Sequence, residues 1–490
     1  MEQIQQGSSR CLDAMIVAVN QACDGKWYAP TDRLQLASFG FCCACRGVRT
    51  LHLSVQRDTP RHLWAADQAK GDAKGSGSST RGSATSRVPA LRPFKVTWSL
   101  PASALEQASD ALANLECLVV YGAFDKSLDE ASWPREVKRL EIDVDFDQEA
   151  TPVSWPQSLQ QLHIGGGSNQ LIERVVLPAS LQELTFGMWG DETIDRVMWP
   201  ASLKRLTLGS SFNQAVDSVL WPGSLEELTF GNEFDQAIDS VVWPPSLRKI
   251  AFGRRFNQPV NAVSWPKSLR QLSFNSCFDH PVNDVSWPAS LQQLTFGIRF
   301  DQAVDRVAWP TSLEKLEFGE NFNQPIDKVS WPASLQELSF GPYFDRPIDK
   351  VSWPGSLKRV SFGAYFDQPI EGVVWPPSLR ELAFDWYFNQ PVEGVAWPPL
   401  LERLTFDCHF NQPIEGVTWP PSLEEITFGQ NFNQPISQVA WPSSLTRLTF
   451  GVGFRQRMDN IVWPESLRKL KCSRQIIDAE ALRLSQLRLG

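Results

Sequence analysis

The residues that could carry chemistry recur at a single interval. Asp125, Asp147, Asn169, Asp191, Asn213, Asp235, Asn257, Asp279, Asp301, Asn323, Asp345, Asp367, Asn389, Asn411 and Asn433 stand 22 residues apart. A row of carboxylates could bind calcium or act in acid–base catalysis. Asn alternates with Asp along the row, however, and the glycines of a calcium-binding β-roll are absent. Both residue types suit a buried ladder in which short side-chain carbonyls accept backbone N–H bonds at a bend.

Nucleophiles are poorly placed for catalysis. Cys408 and His409 are sequence neighbours whose side chains should diverge, and Cys277 with His280 stands in a different copy of the interval. Near the N-terminus, Cys42 and Cys45 have C-x-x-C spacing, with Cys11, Cys23, Cys43 and His52 in the same region. The second ligand pair of a zinc module is missing, and Phe39, Phe41 and Val48 flank the cluster, so small apolar cysteines are expected and no metal site. No phosphate-cradling loop or dinucleotide fingerprint occurs, and no cofactor is expected.

The elements that must position these residues follow from the repeat itself. Trp-Pro recurs from Trp133 to Trp463 on the 22-residue period, with Leu177-Pro178 filling one gap, and the sixteen copies contain no insertion or deletion. A degenerate copy lies upstream, where Leu115, Leu118, Val120 and Phe124 match the apolar positions. Within the copy that starts at Trp331, Leu335, Leu338 and Phe340 form L-x-x-L-x-F, whose last two apolar positions alternate as in a half-buried strand. Val329 and Trp331 alternate similarly and could form a second strand before the Pro. Each copy is therefore expected to be a coil with one short strand or two. Such a coil cannot bury its Trp, Leu, Phe, Ile and Val alone, so neighbours must stack into a solenoid. Catalytic sites are usually gathered by loops, and an array without inserted loops predicts a non-enzyme.

Phe-Asn-Gln-Pro-Ile at 322–326, 410–414 and 432–436, within V-x-W-P-x-S-L-x-x-L-x-F-G, resembles the FNIP repeat, a relative of the leucine-rich repeat. The resemblance covers roughly residues 111–472. It implies a leucine-rich-repeat-like parallel β-strand stack that binds other proteins without catalysis. Some members of the family begin with an F-box, which recruits a ubiquitin ligase. On that alternative the solenoid is a substrate receptor, and residues 1–65 are a divergent adaptor-binding head.

Comparing copies within the chain separates fixed columns from free ones. The eighth residue after Trp is mostly Thr, Ser or Ala and should face away from the core as a floor; it is interrupted too often to suggest an ice-binding row. The eleventh and twelfth residues vary most. Tyr343, Tyr365 and Tyr387 occupy the twelfth position in three consecutive copies, His409 follows them, and Trp386 lies beside Tyr387. Arg254, Arg255 and Arg299 form a basic group upstream. Aligned aromatics could merely stabilise the stack. The same column accepts Ser, Glu, Asn and Gly, so the fold does not demand an aromatic there, and exposed Tyr, Trp and Arg are the usual composition of a protein-binding hot spot. These eight residues are the candidate partner-binding site.

Charge narrows the partners. Of 490 residues with a formal charge of −9, the first hundred carry 13 Lys+Arg against 7 Asp+Glu, a net +6, which leaves −15 on the remainder. An acidic body argues against nucleic acid as the principal partner. No apolar stretch approaches membrane-spanning length, and the N-terminal residues lack a secretory pattern. Nine scattered Cys do not form a disulfide framework, so a cytoplasmic or nuclear monomer is expected. The expected organisation is a head at 1–69, a flexible Gly/Ser-rich linker at 70–92, a cap with the degenerate repeat at 93–132, the solenoid at 133–472 and a C-terminal cap at 473–490. Ile477, Ala481 and Leu484 have the spacing of a short helix in that last cap.

Overall fold

The computed structural model describes residues 50–55, 95–99, 116–122, 136–143, 154–165, 176–188, 193–458, 461–472 and 475–478. The chain forms two compact units, residues 1–190 with 197–203, and residues 191–196 with 204–490.

The first unit contains β1 (Thr50–Val55), β2 (Lys95–Ser99), β3 (Cys117–Gly122), β4 (Arg139–Asp143), β5 (Gln161–Ile164) and β6 (Glu183–Phe186). From β3 onward each strand pairs in parallel with the next, Leu118 opposite Leu140, Leu140 opposite Leu162 and Leu162 opposite Leu184. Strand β1 falls within the expected head and β2 within the expected cap. Strand β1 lies between β2 and β3 and pairs in parallel with both, Leu51 standing opposite Val96 and Leu118. The alternating Thr-Leu-His-Leu-Ser-Val of β1 supplies a strand pattern without the Trp-Pro marker that betrays the later coils. The Cys42–Cys45 cluster and the linker at 70–92 lie outside the described residues.

In the second unit thirteen strands follow one another at the repeat interval. They are β7 (Arg205–Thr207), β8 (Glu227–Thr229), β9 (Lys249–Ala251), β10 (Gln271–Ser273), β11 (Gln293–Thr295), β12 (Lys315–Glu317), β13 (Glu337–Ser339), β14 (Arg359–Phe362), β15 (Glu381–Phe384), β16 (Arg403–Phe406), β17 (Glu425–Phe428), β18 (Arg447–Phe450) and β19 (Lys469–Cys472). Each is parallel to its neighbours and in register by repeat, as in the row Leu316, Leu338, Val360, Leu382. Strand β20 (Gln475–Asp478) closes the series antiparallel to β19, with Ile477 opposite Leu470. This overturns the helix expected at Ile477: the Ile-Ile pair of Gln-Ile-Ile-Asp satisfies the open edge of β19 by hydrogen bonding, which a helix cannot do. Ala481 and Leu484 lie outside the described residues.

One strand per coil is observed in the described coils, not two. The Val-x-Trp segment curls instead, with Val307 N–H donating to Val304 O at 3.3 Å and Trp309 N–H to Val307 O at 3.1 Å. After the Pro the chain turns again, as Leu335 N–H donates to Pro332 O at 3.1 Å. Between coils, Ser hydroxyls bond to the Leu carbonyl of the preceding coil, as Ser334 Oγ does to Leu313 O at 2.7 Å.

The core consists of columns. Phe340 and Phe344 stack within one coil at 4.1 Å, and Phe344 stacks on Phe322 and Phe366 of the flanking coils at 6.1 Å each. The Leu positions of the strand and its approach, Leu335 and Leu338, are buried beside them, as are Ile348 and Val351. Each such side chain contributes roughly 1.5–3 kcal/mol on burial, and every column needs a neighbour on both sides to do so.

Candidate functional site

Three parallel tracks run along the strand face of the second unit. The first comes from the opening residue of each strand, where Lys315, Glu337, Arg359, Glu381, Arg403, Glu425 and Arg447 alternate in sign over seven consecutive coils. The parallel register sets each directly beside the opposite charge on the next coil. Glu337 pairs with Arg359, Glu381 with both Arg359 and Arg403, and Glu425 with Arg447. One column over, Glu402 pairs with Arg380. At the end of this track Lys315 Nζ lies 2.7 Å from Glu317, whose hydrogen bond holds the ammonium above its usual range. Exposed pairs are individually worth about 0–1 kcal/mol, but here they leave little unbalanced charge along the track.

The second track is the floor. Ser339, Ser361, Ala383 and Thr405 present small side chains in a shallow depression of about 220 Å³, bounded by Lys315, Glu337, Arg359, Glu381 and Arg403.

The third track follows the strand ends and carries the aromatic candidates. Tyr343 and Tyr365 stack with centroids 5.0 Å apart and planes 5° from parallel. Tyr365 and Tyr387 continue the stack at 4.9 Å, and His409 joins Tyr387 at 4.7 Å. The backbone beneath fixes this spacing. Tyr365 N–H donates to Pro342 O, Tyr387 N–H to Ala364 O and His409 N–H to Trp386 O, each at 2.8 Å. His409 Nδ1 lies 2.9 Å from the same Trp386 carbonyl, so Nδ1 carries the proton of that contact. The rings remain open to solvent, with 49% of Tyr343, 44% of Tyr365, 42% of Tyr387 and 44% of Trp386 exposed, whereas the Phe columns below them are fully buried.

The arginines are separated from this stack. Arg254, Arg255 and Arg299 are all exposed, and Arg255 Nη1 is taken up by Glu233 at 2.6 Å. Arg299 stands two coils further along, its backbone N–H on Ser276 O at 2.9 Å. The eight candidates therefore form a basic group and an aromatic stack on the same track.

Two residues that sequence reasoning passed over stand between floor and aromatic stack. The tenth position after Trp is Gly341, Gly363 and Gly429 in nearby coils, yet Asp385 and Asp407 fill it in two consecutive coils. Burial pushes the Asp385 carboxyl above the ordinary carboxylate range, its bond from Trp386 N–H opposes this, and its hydrogen bond with Asp407 pushes it further up. Cys408, only 3% exposed, has its thiol pushed up by burial and then by its bond to Asp407. The break in the glycine column was the available signal.

The Asn/Asp row has the ladder geometry expected of it. Asp345 N–H donates to Asn323 Oδ1 at 3.0 Å, Asn389 N–H to Asp367 Oδ1 at 2.9 Å and Arg455 N–H to Asn433 Oδ1 at 2.9 Å. It is half-buried or exposed rather than buried, because the bend that it closes lies at the surface. Among the described residues no group of three or more His, Cys, Asp or Glu side chains is placed to hold a metal ion, and no helix is long and apolar enough to cross a membrane.

A parallel sheet built of one short strand per 22-residue coil, with no other regular element in the described repeats, defines a leucine-rich-repeat-like β-solenoid. The FNIP repeat matches residues 146–188, 193–233, 234–277, 322–365, 366–409 and 410–453, more than half of the chain, and the chain belongs to this repeat family. Among solved structures, CroV588, described as a novel circular leucine-rich-repeat protein, is 38% identical with a TM-score of 0.67, over 73% of this chain and 53% of that one. This chain thus spans about half the length of that protein. An internalin, InlF of Listeria monocytogenes, is 13% identical with a TM-score of 0.41, over 56% of this chain and 81% of that one. No curated protein matches the chain.

Proposed function

We propose that this protein is a non-enzymatic scaffold that binds a protein partner along the variable track beside the strand face. Tyr343, Tyr365, Trp386, Tyr387 and His409 are the anchor, and Arg254, Arg255 and Arg299 are accessory contacts. The observation that carries the reading is the stack of three tyrosine rings left open to solvent, continued by the half-buried His409, in an array that buries its Phe columns. Rigid, pre-aligned aromatics lose little side-chain entropy on binding, which is why they serve as hot spots. The track also runs beside a charge ladder that is internally paired, so the ladder itself offers a partner little net charge.

The test is recovery of partners from native lysate with the intact protein and with the Y343A/Y365A/Y387A variant, after both have been shown to melt alike. Selective loss of a protein from the variant supports the reading. An unchanged set of partners overturns it, and a ubiquitin-ligase adaptor retained through residues 1–65 would move the function to the head.

A further inference from the structure

The stacked rings constrain what the anchor can recognise. In the run from Tyr343 to His409 each interior ring has both faces covered by its neighbours, at 4.7–5.0 Å. The stack therefore offers ring edges and tyrosine hydroxyls rather than the faces of its interior rings. Ring edges carry the positive side of the aromatic quadrupole, so the interior of the stack does not attract a cation.

Attraction for a cation lies instead at Asp385 and Asp407. Glu337, Glu381, Glu402 and Glu425 on the same face each have an arginine, whereas no ion pair involves Asp385 or Asp407 among the described residues. They stand at the same position of consecutive coils, next to Trp386 and Cys408, and Asp385 Oδ1 accepts from Trp386 N–H at 2.8 Å. At the far end of the track the signs reverse, because Arg254 and Arg299 are exposed and, among the described residues, have no carboxylate partner while Arg255 is taken by Glu233.

We propose that the track holds an extended, dipolar segment of the partner polypeptide. Its acidic end lies over Arg299 and Arg254, its apolar middle runs along the edges of Tyr343, Tyr365 and Tyr387, and a Lys or Arg at its other end meets Asp385 and Asp407. The inference rests on the scaffold reading and adds the partner's chemistry. Four coils separate Arg299 from Asp385, roughly 20 Å at about 4.8 Å per parallel strand, a span that about six extended residues cover. The floor of Ser339, Ser361, Ala383 and Thr405 leaves room for the backbone of such a segment beside the rings. Complementary charges at its two ends fix its direction and register, while the rings supply apolar surface. A uniformly anionic polymer is disfavoured, since it must cross the carboxyl pair on a body of net negative charge.

The experiment is selection of a phage-displayed random dodecapeptide library on the full-length protein, followed by fluorescence anisotropy of the best peptides. The expected sequences place Asp or Glu about six positions from Lys or Arg with apolar residues between. Near neutral pH, D385N/D407N should weaken them about tenfold without lowering the melting temperature, and D385K/D407K should select peptides acidic at both ends. Peptides that bind D385N/D407N within twofold of the parent but lose affinity for Y343A/Y365A/Y387A would overturn the dipolar assignment and leave the aromatic anchor standing. Peptides indifferent to the tyrosine variant as well would remove both. A labelled single-stranded oligonucleotide that displaces the selected peptides at comparable concentration would also overturn the proposal.

Discussion

Asp385 and Asp407 occupy equivalent positions on consecutive coils, where the adjacent coils have Gly363 and Gly429, and the Asp407 carboxyl adds to burial in pushing Asp385 up. A pair of like groups in one place resists double ionisation, and partial burial strengthens that resistance. Asp385 is accordingly raised in the folded protein relative to its ordinary value of 3.8. In the window between those two values the folded state holds more protons than the unfolded chain, so this group's contribution to stability is complete below 3.8 and is lost as pH rises through the folded value. The difference in melting temperature between the parent and Asp385→Asn should be most favourable to the parent in acid and should shrink or reverse towards neutrality. Melts of both proteins across the acidic range check this, and a difference that grows with pH would contradict it.

The Asn/Asp ladder predicts an asymmetry between two substitutions at one site. Asn323 Oδ1 is the acceptor for Asp345 N–H at 3.0 Å and lies within 22 residues of a matching acceptor on either side. Asn323→Asp keeps the acceptor and should be nearly neutral, as the free exchange of the two residues along the column implies. Asn323→Ala leaves the amide of Asp345 without its partner and should cost about 1–3 kcal/mol. Hydrogen exchange at that amide, read by peptide mass spectrometry, should accelerate in the Ala variant only.

How much of this was legible beforehand depends on what the repeat repeats. Trp331, Leu338 and Phe344 recur with their neighbours at fixed offsets, so the solenoid, its strand position and its columns could all be read from sequence. Strand β1 could not, because Thr50–Val55 carries no Trp-Pro and finds its place through pairing with two strands distant in sequence. The terminal strand was misread as a helix because spacing alone ignored the open edge of β19. At the candidate site the aromatic alignment followed from periodicity, whereas the pairing of Arg255 with Glu233 and the carboxyl pair depend on side-chain directions that periodicity does not give.

Two glycines with the same residue type should behave oppositely. A Cβ on Gly319 would lie 1.6 Å from Gly297 O of the preceding coil, backbone that cannot step aside without opening the stack. Gly319→Ala should therefore destabilise by about 1–3 kcal/mol or more, in the manner of core overpacking. A Cβ on Gly355 meets nothing within 4 Å, and Gly355→Ala should be neutral or gain about 0.4–1 kcal/mol by restricting the unfolded chain. Urea unfolding of the two variants against the parent separates the outcomes.

The tryptophan column makes the least intuitive prediction. Trp375 is 6% exposed and stacks on Trp353 at 6.1 Å, with Phe362 edge-on at 6.3 Å. Its indole Nε1–H is buried without an acceptor, and Trp265, Trp309 and Trp419 repeat the arrangement. Trp375→Phe removes an unbonded donor whose desolvation costs about 1–3 kcal/mol, and this offsets much of the packing that the smaller ring gives up. The net change should stay below about 1 kcal/mol, well under the roughly 3–5 kcal/mol expected for Phe366→Ala in the adjacent, fully buried column. Parallel urea titrations decide it, because a Trp375→Phe loss as large as that of Phe366→Ala would mean that the indole N–H is bonded after all.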